Sequence, residues 1–323
     1  MDLFKILSDI EKVDPEVYER FDTRRRAFKY ISGMGKAVTA ATLPGLLSTM
    51  FNKAYGQTST LAPEIVATLN LALQLEYLER YYYQRGLDTP GLIPSADVPA
   101  ITIIRDDEVG HIAAIRAVLG TQAFGPDPGA TAFDYTAGGK VNPFANAANF
   151  YAVSQAFVDT GVRAYKGGAV NLMGNKDILT AALNIHSVEA RHSSHIRLLR
   201  RGGVSATADV NNLVAKPKSW ISGTDGGGSN PPLTTPVYGA GVNPPPAGTP
   251  TGVTFPAEDN TTQGAVNVQT GTTFPTIPGV TLTTAQQLAA ATEAFDEPLD
   301  ATTVKTIARN FRSTVGATLG LFN

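Results

Sequence analysis

Two copies of one short spacing constrain this chain most: Glu189-x-x-His192 and Glu108-x-x-His111. A Glu and a His three positions apart on a helix project to one side, about one turn apart. Both copies sit in stretches with helical periodicity. Residues 181–201, AALNIHSVEARHSSHIRLLRR, carry apolar Leu183, Ile185, Val188, Ile196 and Leu199 at helical recurrence. Residues 103–120, IIRDDEVGHIAAIRAVLG, carry the second copy. The chain holds 4 histidines, and two of them stand in these motifs. A carboxylate and an imidazole on the inner side of a helix are how a four-helix bundle offers ligands to a metal in its core. The sequence contains no cysteine, which excludes disulfides, zinc fingers and cysteine-ligated clusters. Any metal must rely on carboxylate and imidazole, a donor set suited to iron, manganese or zinc.

The rest of the periodic sequence supplies two more helices. One is expected from Pro63 to Arg85, stopped by Gly86, with Leu69, Ala72, Leu73, Glu76, Leu78 or Glu79, and Tyr83 inward. The Glu108 helix is expected from Ala96 to Leu119, capped by Ser95 or Asp97 and closed by Gly120. A third runs from Phe144 to Met173, and Gly174-Asn175 turns into the Glu189 helix, which ends at Gly202-Gly203. Residues 121–143, rich in Gly, Pro and Asp, form a long connection between helices two and three. A bundle with a di-metal core takes one Glu from each of two helices and Glu-x-x-His from each of the other two. Helix one offers Glu76, with Tyr83 two turns along the same face.

These features carry a resemblance. LEYLERYYYQRGL, the two Glu-x-x-His motifs, and GVRAYKGGAV ahead of IHSVEARH resemble the ferritin-like family, above all its exported, desiccation-related branch. The similarity covers about residues 60–202, and AFDEPL near the C-terminus extends it. It implies an all-α, ferritin-like four-helix bundle with a long crossover between helices two and three. It also implies a di-iron or di-manganese site of the kind found in rubrerythrin, bacterioferritin and manganese catalase. By motif match the implied ligands are Glu76, Glu108, His111, Glu189 and His192. One position departs. The family has Glu where this chain has Val158, seven residues before Tyr165 as Glu76 is seven before Tyr83. Asp159 lies about 100° away on an ideal helix and substitutes poorly. Gln155, one turn back, is a neutral candidate for the space. The readings left open are one ion, two held weakly, or none. Tyr83 is placed near the site, and His195 is a candidate to support a ligand from outside. Glu79 reads as a solvated or supporting residue rather than a ligand.

Four segments are expected: residues 1–56 an arm or export signal, 57–202 the bundle, 203–279 a Pro/Gly/Thr-rich excursion, and 280–323 C-terminal helices docked through Phe295, Leu299, Ile307 and Phe311. Arg24-Arg25-Arg26-Ala27-Phe28-Lys29 resembles a twin-arginine signal, and Ala54-Tyr55-Gly56 places small residues before a cleavage at Gln57. This favours an exported, periplasmic or envelope setting over a cytoplasmic one. A net charge of −2 gives no case for nucleic acid. The expected partners are iron or manganese ions, a second copy of the chain, and an envelope component reached through 203–279. Two functions stay open. One is a non-haem oxidoreductase acting on oxygen or peroxide in oxidative or desiccation stress. The other is a non-catalytic stress or envelope protein that uses the bundle as a scaffold.

Overall fold

Asparagine side chains set two of the four long helix starts. Asn146 accepts from the Asn149 N–H at 2.9 Å, and Asn175 from the Ile178 N–H at 3.1 Å, each covering a donor the helix cannot satisfy itself. In the computed structural model, residues 61–202, 218, 220–221, 231–242, 252–270 and 283–323 are described. The expected export signal, the cleavage at Gln57 and much of the 203–279 excursion lie outside them. The bundle consists of α1 (Pro63–Asp88), α2 (Val98–Leu119), α3 (Ala147–Gly168) and α4 (Lys176–Arg200). A 3-10 turn, Ala169–Leu172, extends α3 toward α4. The architecture is all-α and ferritin-like, with α1 packed on α2 and α3 on α4. Among the described residues no helix is long and apolar enough to cross a membrane.

Several boundaries differ from the sequence expectation (α2 starts at Val98, and α3 spans Ala147–Gly168), and two local features have a packing reason. Gly86 does not stop α1, which continues to Asp88. A Cβ at Gly86 would stand 2.4 Å from the Phe150 ring, so the glycine serves close helix packing. Asp97 does not cap α2 through its side chain. Its carboxylate instead accepts from the Tyr151 hydroxyl at 2.7 Å.

The crossover is anchored from both sides. Tyr135 donates to the Leu78 carbonyl at 2.7 Å, and the Asp134 N–H donates to the Phe311 carbonyl at 2.8 Å. Beyond the bundle come α5 (Pro231–Tyr238), a two-stranded hairpin, α6 (Thr284–Thr292), α7 (Ala301–Arg309) and α8 (Thr314–Thr318). The hairpin pairs β1 (Thr262–Gln263) with β2 (Val266–Asn267). Gly264 and Ala265 turn it, both at positive φ, as a type I′ turn requires. Leu299, Ile307 and Phe311 are buried as expected, but Phe295 is 39% exposed and does not dock. Leu183 on α4 is likewise exposed, on the outer side of the bundle.

The C-terminal region meets α3 backbone to backbone. The Leu299 N–H donates to the Arg163 carbonyl at 3.0 Å, and a Cβ at Gly167 would stand 2.0 Å from the Leu299 carbonyl oxygen. Backbone cannot swing aside as a side chain can. Gly167→Ala is therefore expected to destabilise the protein by about 1–3 kcal/mol, the usual range for overpacking, despite alanine's better helix propensity. The shift of its urea midpoint measures this.

Candidate metal centre

All four bundle helices converge on one buried polar core. From α1 comes Glu76, from α2 Glu108 and His111, and from α4 Glu189 and His192, all nearly inaccessible. One ligand atom from each of Glu76, Glu108, His111 and Glu189 lies within 4.8 Å of the others. His111 Nδ1 stands 3.1 Å from Glu76 Oε2, 3.2 Å from Glu108 Oε2 and 3.2 Å from Glu189 Oε1. His192 Nδ1 stands 3.2 Å from Glu108 Oε1 and 3.5 Å from Glu189 Oε2. Glu108 and Glu189 thus each turn one oxygen to His111 and the other to His192. Tyr165, on α3, donates to Glu76 Oε1.

Glu108 Oε1, both oxygens of Glu189 and His192 Nδ1 have only these imidazole–carboxylate approaches as polar partners, and His111 Nε2, on the other side of its ring from Nδ1, has none. Buried polar groups are ordinarily paired, because leaving them bare is costly. Here carboxylate oxygens and imidazole nitrogens face one another across a small space. A carboxylate and imidazole set of this kind could hold a transition-metal cation.

The electrostatics carry the same message. Burial raises Glu76 well above the usual carboxylate range against the pull of His111, and the charges of Glu108 and Glu189 push it further. Burial opposes protonation of His111, yet Glu76 and the neighbouring carboxylates lift its pKa well above the ordinary imidazole value. His192 is raised in the same way by Glu189 and Glu108. Glu189 is driven the other way. Burial would raise it, but His192 and His111 hold it down at about 2. Without a metal, the core is held together by protons on imidazoles and on part of its acids.

The remaining candidates separate clearly. Gln155 does not fill the ligand gap, since its amide donates to the Tyr238 hydroxyl at 3.0 Å and accepts from Arg200. Asp159 is also turned away. It pairs with Arg197 and accepts from Ser193 at 2.7 Å and Tyr238 at 2.8 Å. Val158 is fully buried. Tyr83, the counterpart of Tyr165, shares a 2.7 Å hydrogen bond with Ser154, whereas Tyr165 reaches a carboxylate. His195 is only partly buried, and its Nε2 makes no hydrogen bond. Glu79 is not solvated: it is 5% exposed, and its Oε2 has no hydrogen-bond partner.

One participant escapes the sequence reading. Asp107 Oδ2 lies 3.1 Å from His192 Nε2 and can hold that ring with Nδ1 toward the acids, as outer carboxylates do for ligating histidines. Its position next to Glu108 was its only sequence signal. Tyr165 also lines an apolar cavity of about 290 Å³, with Leu69, Ala72, Leu172, Leu299 and Val304.

A four-helix bundle with carboxylates and imidazoles converging in its core defines a class of metal-binding helical proteins. Residues 64–201 match the model of the ferritin-like domain family, and this part of the chain is a ferritin-like domain. Comparison with curated proteins and with solved structures finds no match.

Proposed function

We propose that this domain binds two iron or manganese ions and acts on oxygen or peroxide in a stress setting outside the cytoplasm. The observation that carries the metal reading is the set of buried carboxylate and imidazole atoms converging on one another from three helices. Glu76 and His111 would hold one ion, His192 the other, with Glu108 and Glu189 shared between them. Bound iron or manganese supplies the electron transfer that amino-acid side chains cannot. The protein's part is orientation and exclusion of water. Tyr165 fixes Glu76 by a hydrogen bond, and Asp107 fixes the ring of His192. Val158 and Phe157 keep the α3 side of the core apolar and buried. The cavity bordered by Tyr165 is the approach we assign to a small uncharged oxidant.

A metal titration tests the proposal. Full-length protein, stripped with chelator and titrated with Mn(II), is expected to bind it near stoichiometrically and to lose it in a Glu189→Ala/His192→Ala variant. Binding must displace protons, because His111 and His192 have raised pKa values and ligate only when neutral. The sign follows: affinity falls as pH falls, by about tenfold per pH unit for each proton released per ion. Proton release into weakly buffered solution on Mn(II) addition measures the number directly. No binding at any pH from about 6 up to about 9, above the ordinary imidazole range, would sink the metal reading.

A further inference from the structure

Glu79 is a buried acid with no task in the site as described so far. It stands three residues from Glu76 on α1, a spacing that puts two side chains about 60° apart around the axis and about 4.5 Å along it. Two-metal sites hold their ions about 3.5–4 Å apart, so one helix can serve both ions from such a pair. Both Glu-x-x-His motifs use the same spacing.

The surroundings of Glu79 place it at the His192 end. A Cβ at Gly161 would lie 3.3 Å from Glu79 Oε1 and 3.6 Å from Glu189 Oε2. Both carboxylates therefore converge on Gly161, a point of α3 that carries no side chain. Glu189 Oε2 is the oxygen turned to His192, whereas Oε1 faces His111. Glu76 is the mirror case, with its carboxylate on His111. Burial and the charges of Glu189, Glu108 and Glu76 all disfavour an ionised Glu79, and His192 is the favourable charge beside it. Such a group is tolerable when a cation sits among the acids.

The α3 position that would mirror Glu76 is Val158, which has no ligating atom. Tyr83, which would reach that position's carboxylate, bonds Ser154 instead. The core is thus short of one acid on α3 and has one in excess on α1.

We infer that Glu79 is the terminal carboxylate of the second ion, in place of an acid on α3, and that Gly161 leaves the room it needs. The inference rests on the metal-binding reading above, and the experiment separates the two. Full-length protein is titrated with Mn(II), and content and electron paramagnetic resonance are recorded for wild type and Glu79→Gln. Gln keeps the shape and removes the charge, and circular dichroism checks the fold. Wild type is expected to bind two ions per chain with an exchange-coupled signal. Glu79→Gln is expected to bind one, with a six-line mononuclear signal and at least about tenfold weaker uptake of the second. Val158→Glu added to Glu79→Gln is expected to restore the second ion. A single ion in wild type, or two coupled ions undiminished in Glu79→Gln, overturns the inference. A failed rescue overturns the assignment of position 158 as the counterpart. No Mn(II) in wild type overturns the metal reading itself, before any variant is compared.

Discussion

Glu189→Gln and Glu79→Gln are expected to move the stability of the metal-free protein in opposite directions, although the two acids share one core. Glu189 sits at about 2 in the folded protein against an ordinary value of 4.5. A depressed pKa means stability that is present above the unfolded value and lost as pH falls through the folded one. At about 1.4 kcal/mol per pKa unit, the charge of Glu189 contributes about 3 kcal/mol at neutral pH. Glu189→Gln should lose about that much at pH 7, and the deficit should shrink below pH 4.5 toward 2. Glu79 is raised well above 4.5. Folding must then bring it a proton, a penalty absent below 4.5 that grows as pH rises. Glu79→Gln imitates the protonated acid with no proton to take up, so its metal-free form should be more stable than wild type at pH 7. Urea denaturation of chelator-treated proteins at pH 4 and 7 checks both signs. With Mn(II) added, Glu189→Gln should bind neither ion, because Glu189 faces both histidines. Equal stability effects from the two substitutions would show that the acids share their protons evenly.

The contrast between these two acids also marks the boundary of what the sequence made legible. Glu76, Glu108, His111, Glu189 and His192 were readable because three-residue spacing on a helix is a local property, and periodicity gives the inner face. Glu79 lies on that same face, but its burial depends on Gly161, a residue on another helix. Asp107, next to Glu108 on α2, meets His192 on α4, a contact no spacing announces. Gln155 looked available until Tyr238, 83 residues later, took its amide. The helix ends failed for the same reason. Gly86 carries every local mark of a stop, yet it is needed where Phe150 presses on α1. Local rules gave the elements and the ligand faces. Long-range packing decided which polar groups were left over to serve them.

Arg163 is the clearest case of such packing, and Arg163→Met is expected to cause the largest loss of stability away from the metal centre. Its guanidinium is fully buried on α3. It pairs with Glu258 at 2.7 Å and donates to the carbonyls of Glu297 at 2.9 Å, Gly239 at 3.0 Å, Pro256 at 3.0 Å, Pro298 at 3.3 Å and Val237. One side chain thus fastens three separate segments of the C-terminal half to the bundle. Removing it leaves several buried carbonyls without a donor and leaves Glu258, which burial already raises to about 7, without its partner, and breaking a buried pair from one side costs about 3–5 kcal/mol. Arg163→Lys should recover little, because a single ammonium cannot reproduce a planar fork that reaches so many acceptors. Burial holds Glu258 up at about 7 even beside Arg163, so without the arginine it must take a proton at neutral pH, and adding Glu258→Gln to Arg163→Met should recover that part of the loss while the carbonyls remain unpaired. Urea midpoints of the single and double variants measure that coupling. If the double variant is no more stable than Arg163→Met, Glu258 is not the main cost, and the carbonyl contacts alone hold the C-terminal half in place. Arg163 stands two residues beyond Gly161, so this fastening fixes the stretch of α3 that both Glu79 and Glu189 approach. The C-terminal region beyond α4, which carries none of the proposed ligands, would then be part of what keeps the acids in register.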